Sequence, residues 1–250
     1  ADTGPIGGNL SHEFIILADT GESKIYTDKR IFDVDSSKTI LDKESLGVLR
    51  KQYEKFYSVT DEKFNKDEFE KSVAEEYRVN TKGIEVGHIF YFGDKYSKPM
   101  NAAVDFNGKK EFVKMGSYGI GVSRLVGAII EAKYNDKDGI MKWPMSVTPY
   151  DCAIIPMINK NDKSNLEKSI KVHEFLKSKN IETIIDDTDE NISAKIKKFN
   201  LIGIPYQLII GSKSEGNLYE FKEVDGETQK LKVEDIASQI IKAKQNWFHN

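Results

Sequence analysis

The residues with the clearest capacity for chemistry lie at 115–124, which read M-G-S-Y-G-I-G-V-S-R. Three glycines in a mostly apolar run are followed by one cation, Arg124, and then by the helix-like apolar segment 125–131. Bare backbone and a guanidinium at the start of a helix can both approach a phosphate closely. The run is therefore a candidate phosphate-binding site.

Two familiar phosphate-binding motifs do not account for this run. A P-loop requires Lys followed by Ser or Thr after its last glycine, and residues 122–124 are Val, Ser and Arg. A dinucleotide fingerprint needs a third glycine for close packing of helix and strand, and Arg124 stands in that place. A strand whose glycines allow another backbone to pack closely would give the same pattern. For the run alone, both interpretations stay open.

The composition is that of a folded protein without a membrane span. The chain has 250 residues, 39% apolar and 31% charged, with a net charge of −3. This length holds one large or two ordinary domains, and no apolar run approaches the roughly 18 residues of a membrane helix. No secretion leader is visible, and the one cysteine, Cys152, lies in an apolar run typical of a buried thiol. We expect a cytoplasmic setting and, from the start at Ala1, a piece of a longer protein or a processed chain.

Hydrophobic periodicity divides the chain near Trp143 into a predicted domain over 1–142 and another over 143–250. The first predicts mainly antiparallel strands closed by a buried helix at 125–132, with a charged helical insert at 28–80. The second alternates strands and helices, which predicts an α/β domain on a largely parallel sheet. The strands and hairpin of the first part are expected at 14–17, 83–92, 102–113 and 113–122. The apolar helix faces of the insert are expected at Leu46, Leu49, Tyr53 and Phe56, and at Phe69, Val73 and Tyr77.

Four sequence blocks, in this order, carry a resemblance to a known family. They are D-T-G-P-I-G-G-N-L-S-H-E-F at 2–14, G-I-E-V-G-H-I-F at 83–90 with K-Y-S at 95–97, the run at 115–124, and L-I-G-I-P at 201–205. Together they resemble the C-terminal part of bacterial prolyl-tRNA synthetases, which are class II aminoacyl-tRNA synthetases. The run at 115–124 resembles motif 3 of that class.

The resemblance implies a fold and a reaction. The fold would be an α+β portion of a catalytic core, an antiparallel class II sheet with helices, followed by an α/β anticodon-binding domain. The reaction would be ATP-dependent activation of proline to prolyl-adenylate and transfer to tRNA(Pro), with ATP and Mg²⁺ as cofactors. The full-length protein is expected to be a homodimer without a membrane partner. Since a proline carboxylate is already ionised at neutral pH, catalysis should rest on positioning and on cations rather than on a strong base.

Site residues carry over from the resemblance by position. Arg124 is expected to contact the ATP phosphates. Glu85 is expected to serve metal or ATP, and His88 the substrate side. Because they are three apart on a strand, Glu85 and His88 should face opposite sides of it. His12 and Glu13 are expected near the amino-acid pocket. Because strand side chains alternate, only one of them should face it. The alternative is that they make structural hydrogen bonds only. No histidine cluster has metal-ligand spacing, so no metal-ligating residue and no structural zinc are predicted. The remaining predictions are Gly116 and Ser117 for substrate, and Gly119 and Gly121 for ATP.

The second domain offers Lys195, Lys197 and Lys198 as a basic helix that either contacts tRNA or is a solvated face. The family commonly has D-D-x-x-E-R-x-G before this helix, and residues 186–193 lack that arginine and glycine. Motifs 1 and 2 of the class are not found, so we expect the 250 residues alone to be unable to form prolyl-adenylate. The insert at 28–80 is too short for the family's editing domain. Two rival hypotheses are a non-catalytic RNA-binding or regulatory relative and a generic nucleotide-binding α/β domain.

Overall fold

A computed structural model describes residues 1–8, 10–36, 39–40, 42–159, 163–211, 214 and 216–246. The chain divides into two compact units, residues 1–131 and residues 132–250. In the described part, no helix combines the length and apolar character needed to cross a membrane. The division at 142/143 expected from the sequence stays a prediction.

The first unit is built on an antiparallel sheet, as the sequence predicted. Its elements in chain order are β1 (Leu10–Leu17), β2 (Ser23–Asp28), α1 (Lys43–Tyr53), β3 (Ser58–Thr60), α2 (Lys66–Ser72), β4 (Arg78–Gly93), β5 (Ala103–Phe106), β6 (Lys109–Phe112), β7 (Met115–Ile120) and α3 (Val122–Lys133). The sheet order is β1-β4-β2-β3, and β7 also pairs with β4. The long strand β4 thus meets β2 along its first half and β7 along its second.

Strand β4 contains an irregularity that matters for the site. Against β1, Gly87 pairs with Phe14 and Glu85 pairs with Ile15, so Val86 has no partner on β1. Two residues of one strand opposing one of the other form a β-bulge, which reverses the usual alternation of side chains across it. Residues before and after Val86 therefore do not follow a simple two-residue repeat.

The insert contains helices, but they are shorter than the sequence periodicity indicated. Helix α1 ends at Tyr53, so Phe56 lies outside it, and no residue of α1 is buried. Helix α2 ends at Ser72, because Arg78 supplies its C-terminal cap by donating to the main-chain oxygens of Val73 and Glu70, both at 2.8 Å. Val73 and Tyr77, which the sequence periodicity placed on this helix, thus lie outside α2.

Two further expectations for the first unit have different outcomes. The predicted hairpin is confirmed: β5 and β6 are joined at Asn107-Gly108, where φ is 54° and 73°, as a two-residue turn of this composition requires. The prediction of a buried helix after β7 is wrong. Only Ala128 of α3 is buried, and Val122, Val126 and Ile130 are exposed, because the described residues of this unit place no layer over that face.

The second unit is the α/β domain that the sequence predicted. Its elements are β8 (Cys152–Pro156), α4 (Ser164–Lys177), β9 (Thr183–Ile185), α5 (Ile192–Ile202), β10 (Tyr206–Ile210), β11 (Leu218–Glu223), β12 (Gln229–Lys232) and α6 (Val233–Asn246). Strands β8, β9 and β10 are parallel, and β11 and β12 add antiparallel strands at one edge. Of these, β12 was not predicted from the sequence.

Strand β8, which lies between β10 and β9, is buried on both faces, which explains its apolar run. Cys152 and Ile154 pack in one cluster with Val172, Leu176 and Ile240, whereas Ala153 and Ile155 pack in another with Phe199 and Ile204. Helices α4 and α6 therefore cover one face of the sheet and α5 covers the other. Burial raises the pKa of the Cys152 thiol, as expected for an inert buried cysteine. On α4, Ser169, Val172 and Leu176 are buried, whereas Ile170 is exposed.

Candidate functional site

The candidate site of the first unit is a polar cluster on one face of β1 and β4. Ser11 and Glu13 are two residues apart on β1 and share a face. The Ser11 Oγ lies 2.6 Å from His88 Nε2. The other ring nitrogen, Nδ1, lies 3.3 Å from a Glu85 carboxylate oxygen and 3.7 Å from one of Glu13. The His88 ring also stacks on Phe90, with centroids 3.9 Å apart.

The expectation that Glu85 and His88 face opposite sides of the strand is wrong. Regular alternation would separate residues three apart, but the bulge at Val86 adds one residue between them. Both side chains consequently point to the face that carries Glu13. The structure thus brings Glu13, Glu85 and His88 together on one face. The sequence placed each of them near the site but did not predict that they are neighbours.

The electrostatics of the cluster are dominated by two carboxylates around one imidazole. Burial raises the pKa of Glu13, and the nearby Glu85 carboxylate raises it further, while His88 acts in the opposite direction. Carboxylate oxygens of Glu13 and Glu85 and a ring nitrogen of His88 all lie within 4.8 Å of one another. Such a group can bind an organic ammonium ion or a divalent cation.

Arg124 lies beside this cluster, at the start of α3. Its Nη1 donates to the main-chain oxygen of Glu85 at 2.9 Å and lies 3.7 Å from the Glu85 carboxylate and 3.6 Å from that of Glu22. A cation in the first turn of a helix opposes the helix dipole, and these two acids offset that cost. The side chain is still 48% exposed, so part of the guanidinium faces solvent.

An open groove of about 320 Å³ joins Arg124 to the polar cluster. It is lined by residues 85–88 of β4, by Gly119, Ile120 and Gly121, and by Ser123 and Arg124. A β-carbon added at Gly119 would meet its nearest neighbour, the His88 main-chain oxygen, only at an ordinary 3.7 Å. Close strand packing therefore does not explain Gly119, whereas an open backbone surface for a ligand does.

Three other predicted residues lie outside this groove. Gly116 is a packing position, because a β-carbon there would lie 2.8 Å from the Phe90 main-chain oxygen. Ser117 is exposed and pairs with Phe90 of β4, two residues before the groove residue Gly119 on β7. His12 has different charged neighbours from Glu13: burial and the Ala1 amino group lower its pKa, with Glu54 and Arg50 also acting on it. Glu13, not His12, belongs to the cluster.

In the second unit, the three predicted lysines of α5 have three different environments. Lys195 is completely buried, and its Nζ donates to the main-chain oxygens of Pro156 at 3.1 Å and Asp186 at 3.0 Å. The prediction that it contacts tRNA must be corrected, because it shares the inner face of α5 with Phe199. Lys198 pairs with Asp186 at 2.7 Å and Glu190 at 2.9 Å. Of these three lysines, Lys197 alone is exposed and has no ion pair with a residue that the structure describes.

Asp186 is the acid that these lysines share. Burial opposes its ionisation, but the Lys198 ammonium at 2.7 Å and the hydrogen bonds from Thr188 hold its pKa below the ordinary value. The carboxylate therefore stays charged and fixes the start of the loop between β9 and α5. The basic surface expected on this helix is largely neutralised by its own neighbours.

The sequence analysis missed two residues of the first site. Ser11 could have been found, since it lies two residues before Glu13 in the S-H-E-F block and must share its face if that segment is a strand. Glu22 follows β1 in a turn, and no sequence signal connects it to Arg124. Asn9, which belongs to the same block as Ser11, lies outside the described residues.

Comparison with known proteins identifies the class first. Residues 151–243 match the family described as "Anticodon binding domain", which is the parallel-sheet unit that carries α5. With an antiparallel sheet before it and a glycine-rich strand that leads into a helix at Arg124, the organisation is consistent with a C-terminal part of a class II aminoacyl-tRNA ligase.

The family within that class is also clear. A protein of Pelagibacter ubique (strain HTCC1062) named "Proline--tRNA ligase" is 69% identical over 245 residues, which cover 98% of this chain and 55% of the relative. Proteins of the same name from Bartonella quintana (strain Toulouse) and Hyphomonas neptunium (strain ATCC 15444) are 45% and 44% identical over 97% and 96% of this chain, and each is likewise covered to 55%. The chain belongs to the proline–tRNA ligase family and spans about half the length of these relatives.

Proposed function

We propose that this chain supplies the motif 3 half of an ATP and proline site, together with the anticodon-binding domain, of a cytoplasmic proline–tRNA ligase. The observation that carries the proposal is the groove in which Arg124 and the bare backbone at Gly119 adjoin the Glu13–Glu85–His88 cluster. A guanidinium suits a polyphosphate, and paired carboxylates suit the ammonium of an amino acid. Both substrate charges thus find opposite charges in neighbouring parts of one groove.

In the proposed reaction, an oxygen of the proline carboxylate attacks the α-phosphorus of ATP, and pyrophosphate leaves. The prolyl group then passes from the adenylate to the end of tRNA(Pro), and AMP leaves. The first step needs no Ser-His-Asp constellation, because its nucleophile, the proline carboxylate, is ionised at neutral pH. The role of Arg124 is to hold phosphate oxygens and stabilise the charge that develops on them, while Glu13 holds the prolyl ammonium.

Mg²⁺ fits this site through Glu85. Magnesium prefers oxygen ligands and commonly uses one or two carboxylates with substrate phosphates, and Glu85 is the carboxylate next to both Arg124 and the groove. When bound, the ion would neutralise phosphate charge. A nitrogen ligand such as His88 suits magnesium poorly, so His88 is assigned to the protein's own hydrogen bonds.

The second unit is proposed to bind the anticodon arm of tRNA(Pro). Lys195 is buried and Lys198 is paired, so the cation that α5 offers to the interface is Lys197, which has no ion pair within the part of the chain that the structure describes. Its contribution should be a small salt-dependent term, with specificity left to contacts with base edges and base faces. We further propose that the complete protein is a homodimer, as the family resemblance implies.

Proline-dependent exchange of pyrophosphate into ATP tests the catalytic proposal. We expect exchange from the complete gene product that contains these residues, and none from the 250 residues alone. Replacing Arg124 with Ala should lower kcat/KM for ATP about a hundredfold or more, whereas replacing Arg50, an exposed arginine of α1, should not. A complete gene product that binds tRNA(Pro) without exchange would instead identify an RNA-binding relative.

A further inference from the structure

Ser11 is a polar residue that the proposed reaction leaves without a role. It is 6% exposed, yet it lies on the same face of β1 as Glu13 and holds the shortest contact of the cluster, 2.6 Å from His88 Nε2. A buried hydroxyl in this position needs a hydrogen-bond partner, and His88 supplies it. The question is what the pair does for the two carboxylates on the other side of the ring.

The two nitrogens of His88 have different surroundings. Nδ1 faces carboxylate oxygens of Glu85 and Glu13 at 3.3 and 3.7 Å. Ionised carboxylates only accept hydrogen bonds, so Nδ1 must carry a proton to interact with them. Nε2 faces a hydroxyl, which can donate to a neutral ring and accept from a charged one. Ser11 can therefore satisfy Nε2 in either protonation state of the ring.

This arrangement leaves neither ring nitrogen free for a substrate. Nε2 is engaged by Ser11, Nδ1 is directed at the carboxylates, and one ring face is covered by Phe90. We propose that Ser11 is a positioning residue that fixes the ring and tautomer of His88, and that His88 in turn holds Glu13 apart from Glu85 and orients Glu13 for a secondary ammonium ion such as prolinium. The Glu13 carboxylate contacts the substrate, and His88 acts through it.

The order of groups, Ser–His–Glu, is also that of a hydrolase triad, but the geometry favours positioning. A nucleophilic serine must reach a substrate carbonyl and lie near donors for the oxyanion. The Ser11 hydroxyl is buried between strands and points at the imidazole. A hydroxyl in that place can orient the ring and does not meet the requirement for attack.

The identification of prolinium rests on the proposed function, whereas the ring geometry does not. The first experiment therefore uses the 250-residue chain alone, with its histidine rings labelled with ¹⁵N and His88 assigned by comparison with His88→Gln. In the neutral ring we expect the proton on Nδ1, with Nε2 bare. Ser11→Ala should shift the Nε2 resonance and mix the tautomers, and Ser11→Thr, which keeps the hydroxyl, should restore the wild-type pattern.

Ser169→Ala is the matched control, because Ser169 is a buried serine of α4 whose hydroxyl donates to its own helix at Asn165. It should leave the His88 resonances unchanged. If Ser11→Ala does not fold, Ser11→Cys supplies a weaker donor of similar size and should give an intermediate shift. A wild-type ring protonated on Nε2, or a His88 spectrum that does not respond to removal of the hydroxyl, overturns the proposal.

The second experiment measures the consequence for the substrate in the complete gene product. Loss of one neutral hydrogen bond should raise the KM for proline about three- to tenfold, with kcat within about twofold, because the ammonium is bound equally in ground and transition states. An altered ring spectrum with an unchanged KM for proline would refute the link to the carboxylates. If the wild type shows no proline-dependent exchange, the proposed function fails while the ring result still stands.

Discussion

Replacing Lys195 with Met should destabilise the second unit far more than any exposed change on the same helix. Lys195 is completely buried, and its ammonium donates to two main-chain oxygens, of Pro156 at the end of β8 and of Asp186 after β9. Met keeps most of the volume, so the loss is electrostatic. Two buried acceptors lose their donor and the Asp186 carboxylate loses a cation 3.7 Å away. Removing one member of such a buried group costs about 3–5 kcal/mol.

The assay is urea unfolding of the 250-residue chain followed by tryptophan fluorescence. Trp143 belongs to the second unit, where its Nε1 donates to the main-chain oxygen of Ile202 at 2.9 Å, so its fluorescence reports on that unit. With a slope of roughly 2 kcal/mol per molar urea for a unit of this size, the midpoint should fall by about 2 M. Lys197→Met, an exposed change two residues away, should stay within about 0.5 kcal/mol of the wild type. Equal midpoints for Lys195→Met and Lys197→Met would refute the reasoning.

Three further predictions concern other parts of the chain. Gly203 ends α5 with φ 87°, and a β-carbon there would lie 2.5 Å from Met141 Cγ, so Gly203→Ala should cost about 1–3 kcal/mol in urea unfolding. Gly47→Ala, in open space within α1, should be neutral or stabilise by up to about 1 kcal/mol, and a loss as large as that at Gly203 would contradict the argument. Burial raises the pKa of Glu13, and the Glu85 and Glu62 carboxylates raise it further, while His88 and the Ala1 amino group lower it. Because the folded state binds the proton more tightly, stability should fall as the pH rises from the ordinary glutamate pKa through the pKa of folded Glu13. Glu13→Gln should remove that component in circular-dichroism unfolding measured at several pH values, and an unchanged pH profile would exclude it. Because one methylene contributes only about 1–3 kcal/mol of discrimination and the insert at 28–80 is short, the complete gene product should charge some alanine without clearing it; rapid hydrolysis of alanyl-tRNA(Pro) by this protein would show editing in cis.

The elements of the fold followed from the sequence where local patterns determine them. The hairpin at Asn107-Gly108 was predictable because few residues other than Asn and Gly tolerate positive φ at both turn positions. The buried strands of the second unit were predictable from their apolar runs. The end of α2 was not, because its last carbonyls are satisfied by Arg78, a residue of the next strand. A contact made by a side chain outside the helix leaves no periodic signal.

The candidate site was predictable in its residue types and less so in its arrangement. The positions of Glu13, Glu85, His88 and Arg124 followed from sequence blocks, but the face on which Glu85 lies depended on a bulge. That bulge is set by the pairing of β4 with β1, which is a tertiary property. The prediction for Lys195 was wrong for a related reason. Lysines are usually exposed, and burial of this one is tolerable because of the main-chain oxygens of Pro156 and Asp186 and the nearby Asp186 carboxylate.

The bulge at Val86 does more than reorient one glutamate. By leaving the ladder with β1, it presents the Val86 main-chain oxygen to the Gly121 amide at 2.9 Å and the Glu85 main-chain oxygen to Arg124 Nη1 at 2.9 Å. The strand that carries the cluster is thereby bonded to both the last glycine and the arginine of the β7–α3 junction. One additional residue in β4 thus sets the face of Glu85, the path of the glycine-rich strand and the position of the guanidinium. The proposed ammonium-binding and phosphate-binding parts of the groove are consequently connected through this part of β4, and a change that regularised β4 should impair both together.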